Sequence, residues 1–256
     1  MYDIVGDVHG YTGALKNLLT TLGYRRRNGA YRYPGNRRIA VFLGDYIDRG
    51  PDSPGVVDTV RRMVEAGSAI AVLGNHEYNA IAYHSPDGIG GWLRSHTSTH
   101  DRQHAETVAQ YGANRERLRS DLAWMRGLPL YLETDTLRVV HATWSPTMVS
   151  RLHAASTPLK DDAFLYASAR RGTTEHDVIE TLLKGVEVPL PLNVTYRDKD
   201  GVHRRRTRIK WWISPGTLSA ERITWPEFAM PPVDGLPALP VPAEHDKRLI
   251  GYDCEK

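Results

Sequence analysis

Three times within its first 77 residues the chain runs a short apolar stretch into a glycine–polar corner. Residues 2–5 lead into GDVHG at 6–10, residues 38–43 into GDYIDRG at 44–50, and residues 69–73 into GNHE at 74–77. The stretches are strand-length, and the segments after the first two corners, 12–22 and 56–66, carry apolar residues at helical spacing. Strand, polar corner and helix in repetition is the pattern of βαβ units, which predicts an α/β protein. It also predicts where chemistry would sit, because ligands of open α/β sheets gather beyond the carboxyl ends of the strands. A fourth strand end joins the set. Residues 130–132 and 137–140 read as a strand pair around a turn at 133–136, and the second strand ends at His141. Any one corner reads as ordinary turn and capping chemistry. Four strand ends that all carry carboxylate, imidazole or amide groups point to one shared site.

Those residue types suit a pair of divalent cations. Asp7, His9 and Asp45 can hold one, and Asp45, Asn75 and His141 part of a second, with the Asp45 carboxylate as the bridge. Asn75, being neutral, leaves the metals incompletely neutralised, so that a bridging water is acidic enough to attack phosphorus. Arg49 can offer paired N–H donors to two phosphoryl oxygens. His76 can protonate a leaving alkoxide, with Asp48 holding its ring charged and oriented.

The rest of the chain places this set within one domain of 256 residues. An apolar content of 41% with 25% charged residues describes an ordinary globular chain, not a disordered or membrane one. The apolar stretches fall far short of a bilayer span, and the start MYDIVGD lacks the features of a secretory signal. Cys254, the single cysteine, excludes an internal disulfide and fits a reducing cytoplasm. The net charge of +3 is too mild for a nucleic-acid-coating protein. Helices are expected at 101–111 and 114–126, within an insert spanning about 84–127, and again at 145–153, 161–170 and 174–184. Beyond residue 186 a hairpin around RDKDG (197–201) precedes a proline-rich segment of loop and extended chain.

Together, GDVHG, GDYIDRG, GNHE and the later strand-end histidine resemble the calcineurin-like metallophosphoesterases. Within them the chain looks similar to the branch of phosphoprotein phosphatases and symmetrical bis(5′-nucleosyl)-tetraphosphatases. The resemblance implies a four-layer fold, a central β-sandwich flanked by helices. It implies a dinuclear site, with Mn²⁺ foremost and Fe, Zn, Ni or Mg as alternatives. Direct hydrolysis by a metal-bridging hydroxide follows, with no phosphoenzyme. By motif position it gives Asp7, His9, Asp45, Asn75 and His141 as metal ligands, His76 with Asp48 as the acid, and Arg49 as the phosphate clamp. Two departures stand out. The family's H-A-G reads HATW here (141–144), so Trp144 is expected to crowd the second metal. A further Gly-His ligand is also implied, yet His153, His176, His203 and His245 lack that context. The expectation is that the sequence stops before that ligand and the last strands, with His245 as a substitute ligand in the alternative.

Other features admit two readings. His96, His100 and His104 are spaced four apart, as a metal-binding helix face would be, or as a plain polar face. With GIGG beside them, they or Arg94 would otherwise form a lid over the site. Trp92 and Trp144 are expected in packing, or stacked on a nucleobase. HRRRTRIK at 203–210 is a solvated hairpin face, or a dock for an acidic peptide or polyphosphate. The expected function is a cytoplasmic phosphatase acting on phosphomonoesters of the phosphoprotein Ser/Thr type, with no membrane or nucleic-acid partner. A diadenosine polyphosphate hydrolase is the alternative, and a low-activity binding module on the same fold the second. Oligomeric state is left open.

Overall fold

The computed structural model describes residues 1–152, 155–190, 195–197 and 203–212, with the backbone of 224–225. In chain order the elements are β1 (Tyr2–Val5), α1 (Thr12–Thr21), β2 (Arg25–Arg27), β3 (Ala30–Arg32), β4 (Ile39–Phe42) and α2 (Ser53–Glu65). Next come β5 (Ala69–Ala71), α3 (Asn75–Tyr83), α4 (Ser98–Tyr111), α5 (Arg115–Arg126), β6 (Tyr131–Glu133) and β7 (Arg138–Val140). Then follow α6 (Pro146–Arg151), α7 (Asp162–Ser168), α8 (Thr174–Ile179) with a π-turn at Glu180–Lys184, and β8 (Glu187–Pro189). The short strands β9 (Tyr196–Arg197), β10 (His203–Arg204), β11 (Arg206–Ile209) and β12 (Thr224–Trp225) complete the set. No helix among the described residues is long and apolar enough to cross a membrane.

Strands β1, β4 and β5 form a parallel sheet in that order, with Tyr2 opposite Ile39 and Ala40 opposite Ala69. The face toward α1 and α2 is buried along all three strands, and on the other face Val41 is buried while Tyr2 and Ile4 of the edge strand β1 stay exposed. Ala40 and Phe42 point into the main core, where Leu15 and Leu19 of α1 and Val56, Val57, Val60 and Met63 of α2 are buried. Val41, between them in β4, points the other way and packs with Val72 and with Val139 of β7. That second contact is sheet on sheet, since β7 pairs antiparallel with β6. It also brings the end of β7, and so His141, alongside the end of β4.

Most expected elements stand within a residue or two of where the periodicity puts them. The helix expected at 56–66 starts earlier, at Ser53. Asp52 caps it by accepting from Gly55 N at 2.9 Å, and Pro54 sits in the first turn, where its missing N–H costs nothing. The hairpin β2–β3 was not foreseen. Its signal is Asn28–Gly29, both at positive φ as a tight two-residue turn demands, but arginines replace the usual apolar alternation. The expected hairpin at RDKDG is present as β9 paired antiparallel with β10, while its turn residues 198–202 lie outside the described residues. Apart from the pairing of β12 with β11, the expected loop and extended chain from 214 onward lies outside them too.

Candidate metal centre

The first two strand ends meet through their backbones before any side chain is considered. Val8 N and His9 N both donate to the Asp45 carbonyl at 3.0 and 2.8 Å, and Gly10 N donates to the Tyr46 carbonyl at 2.8 Å. The approach is close enough to need glycine. A Cβ at Gly50 would lie 2.1 Å from the His9 carbonyl oxygen, and one at Gly74 2.3 Å from Asp45 N. His9, Asp45, Asp48 and Arg49 take φ of 45°, 55°, 66° and 70°, the left-handed region that residues with a Cβ seldom enter. Backbone strain of this kind, held by surrounding structure, concentrates at functional sites.

Glu77 locks the second corner to the third. Its fully buried carboxylate accepts from Asp45 N at 2.8 Å, Tyr46 N at 2.7 Å and Gly74 N at 3.0 Å. Burial, then the charge of Asp45, pushes its pKa up to about 7. Sequence reading gave Glu77 no role, although a glutamate three residues after a helix N-cap is a known capping signal.

On this frame the predicted ligands converge. His9 donates Nδ1–H to the Ile47 carbonyl at 2.9 Å, which turns Nε2 toward Asp45 Oδ2 at 3.6 Å and Asp7 Oδ2 at 3.8 Å. His141 donates Nδ1–H to the Leu43 carbonyl at 2.7 Å, which turns its Nε2 toward Asn75 Oδ1 at 3.0 Å and Asp45 Oδ1 at 3.5 Å. The two oxygens of one buried carboxylate therefore face two different imidazoles. Each imidazole is oriented by a backbone carbonyl, as metal-bound histidines commonly are. The set fits divalent cations. In a neutral ring with Nδ1 donating, His141 Nε2 would turn a lone pair toward two oxygen acceptors, an arrangement that a cation between them would satisfy. Two donors at right angles on one ion with bonds of ~2.1 Å stand about 3 Å apart, near the spacings seen here. The pKa of His9 is lowered, first by burial, which favours the neutral ring that a metal needs.

Beside these donors lies a hydrogen-bonded chain of titratable groups. His76 donates Nδ1–H to Asp48 Oδ2 at 2.7 Å, as expected of the acid and its orienting carboxylate. Asp48 Oδ1 accepts from His104 Nδ1 at 2.9 Å and from Thr107 Oγ1 at 2.7 Å, and His104 Nε2 meets His84 Nε2 at 3.2 Å. Burial alone would raise the pKa of Asp48, but the hydrogen bonds from His104, His76 and Thr107 outweigh it and hold it far below the carboxylate range. For His76, burial works against the charged ring, and the Asp48 hydrogen bond with the Asp45, Asp48 and Glu77 charges reverses the sign, raising its pKa above 6.5. Arg49 Nη1 lies 2.6 Å from His9 Nε2 and Nη2 lies 3.2 Å from His76 Nε2. Its guanidinium stands between His9 and His76.

The description "calcineurin-like phosphoesterase" matches the chain over residues 2–183, which takes in every one of these groups. The chain belongs to that family. Among its relatives are asymmetrical bis(5′-nucleosyl)-tetraphosphatases PrpE. That of Oceanobacillus iheyensis is 49% identical over 74 residues, 29% of either chain. That of Bacillus subtilis is 40% identical over 75 residues, 29% of this chain and 30% of the relative. The chain thus matches less than a third of the length of these curated relatives, whose names say asymmetrical where the motifs suggested symmetrical. Solved structures are more distant. A cold-active protein tyrosine phosphatase has a TM-score of 0.42 at 19% identity, covering 70% of this chain and 50% of that one. A metallophosphoesterase from Sphaerobacter thermophilus has 0.33 at 21%, covering 62% and 56%.

In this calcineurin-like chain several expected contacts fall elsewhere. His96, His100 and His104 do not share a helix face: His96 precedes α4 and stacks on Tyr83 and Trp92, while His100 Nδ1 meets the Ser95 carbonyl at 2.7 Å. Only His104 reaches the site, through Asp48. Trp144 does not crowd the second set of ligands. It is buried against Tyr131 with Arg138 over its ring, and Ala142 and Thr143 line the cleft instead. Among the later histidines, His176 Nδ1 meets the Ser168 carbonyl at 3.0 Å and His203 is exposed in β10, while His153 and His245 lie outside the described residues.

Proposed function

We propose that this chain is a divalent-metal-dependent phosphoesterase whose substrate is a nucleotide carrying a polyphosphate. The observation that carries the reaction type is the Asp45 carboxylate, with one oxygen facing His9 and the other His141. Asp7, His9 and Asp45 would hold one ion, and Asp45, Asn75 and His141 the other, with Mn²⁺ the first candidate. Bound there, the ions would neutralise phosphoryl charge and acidify water.

The protein's own groups supply the rest. His76 stands with Nδ1 fixed by Asp48, so a proton on Nε2 is directed into the cleft, where a leaving oxygen would take it. For both His9 and His76 to work, Arg49 must turn from their Nε2 atoms, and the natural partner for its two Nη groups is then the substrate's phosphoryl oxygens. The names of the PrpE relatives and the basic side chains along the cleft support a nucleotide over a phosphoprotein. The phosphoprotein reading rests on motifs that both kinds of enzyme share.

A substrate panel on chelator-treated protein tests this. Mn²⁺ is expected to restore hydrolysis of an aryl phosphate and of diadenosine tetraphosphate, with kcat/KM at least tenfold higher for the dinucleotide than for a phosphoserine peptide. Hydrolysis that chelation leaves intact would refute the metal reading, and a preference for the peptide would refute the substrate reading.

A further inference from the structure

The cleft that begins at Asp45 and His141 runs on for about 990 Å³, the upper end of the usual range for a ligand pocket and far more than one phosphoryl group fills. Its far wall is the basic run that sequence alone left between two readings. In β11, Thr207 and Ile209 are buried while Arg206 and Arg208 are exposed, so the two arginines share a face and both line the cleft. Residues two apart on a strand stand roughly 7 Å from each other, so each can reach a different phosphoryl group. Arg204 and Lys184 line the same wall. Against these four cations the wall holds two carboxylates, Glu180 paired with Lys184 and Glu187 at 3.7 Å from Arg206. The balance favours an anion.

Main-chain links fix this wall to the metal ligands. Ala142, next to His141, donates its N–H to the Leu182 carbonyl at 2.9 Å, and Val186 N donates to Thr143 Oγ1 at 3.4 Å. Ile209 N in turn donates to the Val186 carbonyl at 3.1 Å, which ties β11 to that segment. At the end of the strand stand Trp211 and Trp212, ring centroids 6.0 Å apart and edge to face, both lining the cleft, with Trp212 40% exposed. A large indole face left open beside a row of guanidinium groups is the pairing that takes a base together with its phosphates. The arginines and tryptophans of this wall also lie beyond residue 183, where the family match ends.

We infer that the basic face of β11 and the Trp212 indole form a subsite for the distal phosphates and base of a nucleoside polyphosphate. The inference deepens the proposed function and rests on it for the position of the scissile phosphorus, but not for binding itself. The test is therefore equilibrium binding, by calorimetry on the full chain, of ATP and of inorganic phosphate without turnover. The wild type is expected to bind ATP at least tenfold more tightly than phosphate. In Arg206→Gln/Arg208→Gln that preference should fall at least tenfold, and in Trp212→Ala, a surface change that does not threaten folding, about fivefold or more. A preference that survives in both variants would overturn the inference. So would a double variant that loses an acidic phosphoserine peptide and not ATP, because the wall would then be a peptide dock. Absence of hydrolysis in every metal tried would refute the proposed reaction and leave the binding result standing.

Discussion

Asp48 accepts from His76 on one oxygen and from His104 and Thr107 on the other, so the orientation of His76 depends on two residues of α4 some sixty positions away in sequence. A hydrogen bond to a charged group is worth roughly 1.5–3 kcal/mol, about tenfold or more in rate if that energy is spent on positioning. His104→Leu removes one donor and is expected to lower kcat about tenfold with little change in KM. His104→Asn, whose side-chain N–H stands near the place of the imidazole Nδ1–H, should restore most of the loss. Steady-state kinetics on the two variants checks this, and equal losses would mean that His104 matters only for packing. Asp7, His9, Asp45 and Asn75 were legible as candidate ligands because each sits at a strand end beside a glycine. His104 was not, since its pairing with Asp48 depends on how α4 packs, and its spacing with His96 and His100 suggested a different partnership.

At the scale of elements, the segment between α3 and α4 is held to the site by histidine contacts. The pKa of His84 is lowered to about 4, first by burial and then by the charges of His104, His96 and Arg115. Its folded value lies below the unfolded value of 6.5, so on acidification the unfolded chain takes the proton first. The contribution to stability is therefore fully present above pH 6.5 and is lost as pH falls toward 4. Denaturant unfolding at pH 7 and pH 5 should show a greater loss for the wild type than for His84→Gln. The difference should be on the order of 1 kcal/mol once partial exposure is discounted. Identical losses would show that His84 titrates normally in the folded chain. Strand and helix positions were readable here because periodicity and caps are local. The β2–β3 hairpin was obscured because arginines at both flanks erased the alternation that usually announces a strand.

Across the whole molecule, the site depends on packing that no single motif encodes. Val139 against Val41 and Val72 carries His141 to the Asp45 corner, and Glu77 clamps that corner to the start of α3. Sequence disclosed the candidate ligands because family motifs fix residue type and order. The basic wall was visible only as a charge run, for its direction into the cleft is set by pairing of β11 with β8 and with the segment after the π-turn. In the proposed reaction one carboxylate, Asp45, joins two metal positions. Mn²⁺ binding and aryl phosphate hydrolysis measured on wild type and Asp45→Asn probe that role. Asp45→Asn is expected to weaken Mn²⁺ binding at least tenfold and to lower kcat about a thousandfold or more, since truncating the charge at a shared ligand disturbs both positions. An Asp45→Asn protein that binds Mn²⁺ like the wild type and keeps most of its turnover would contradict it.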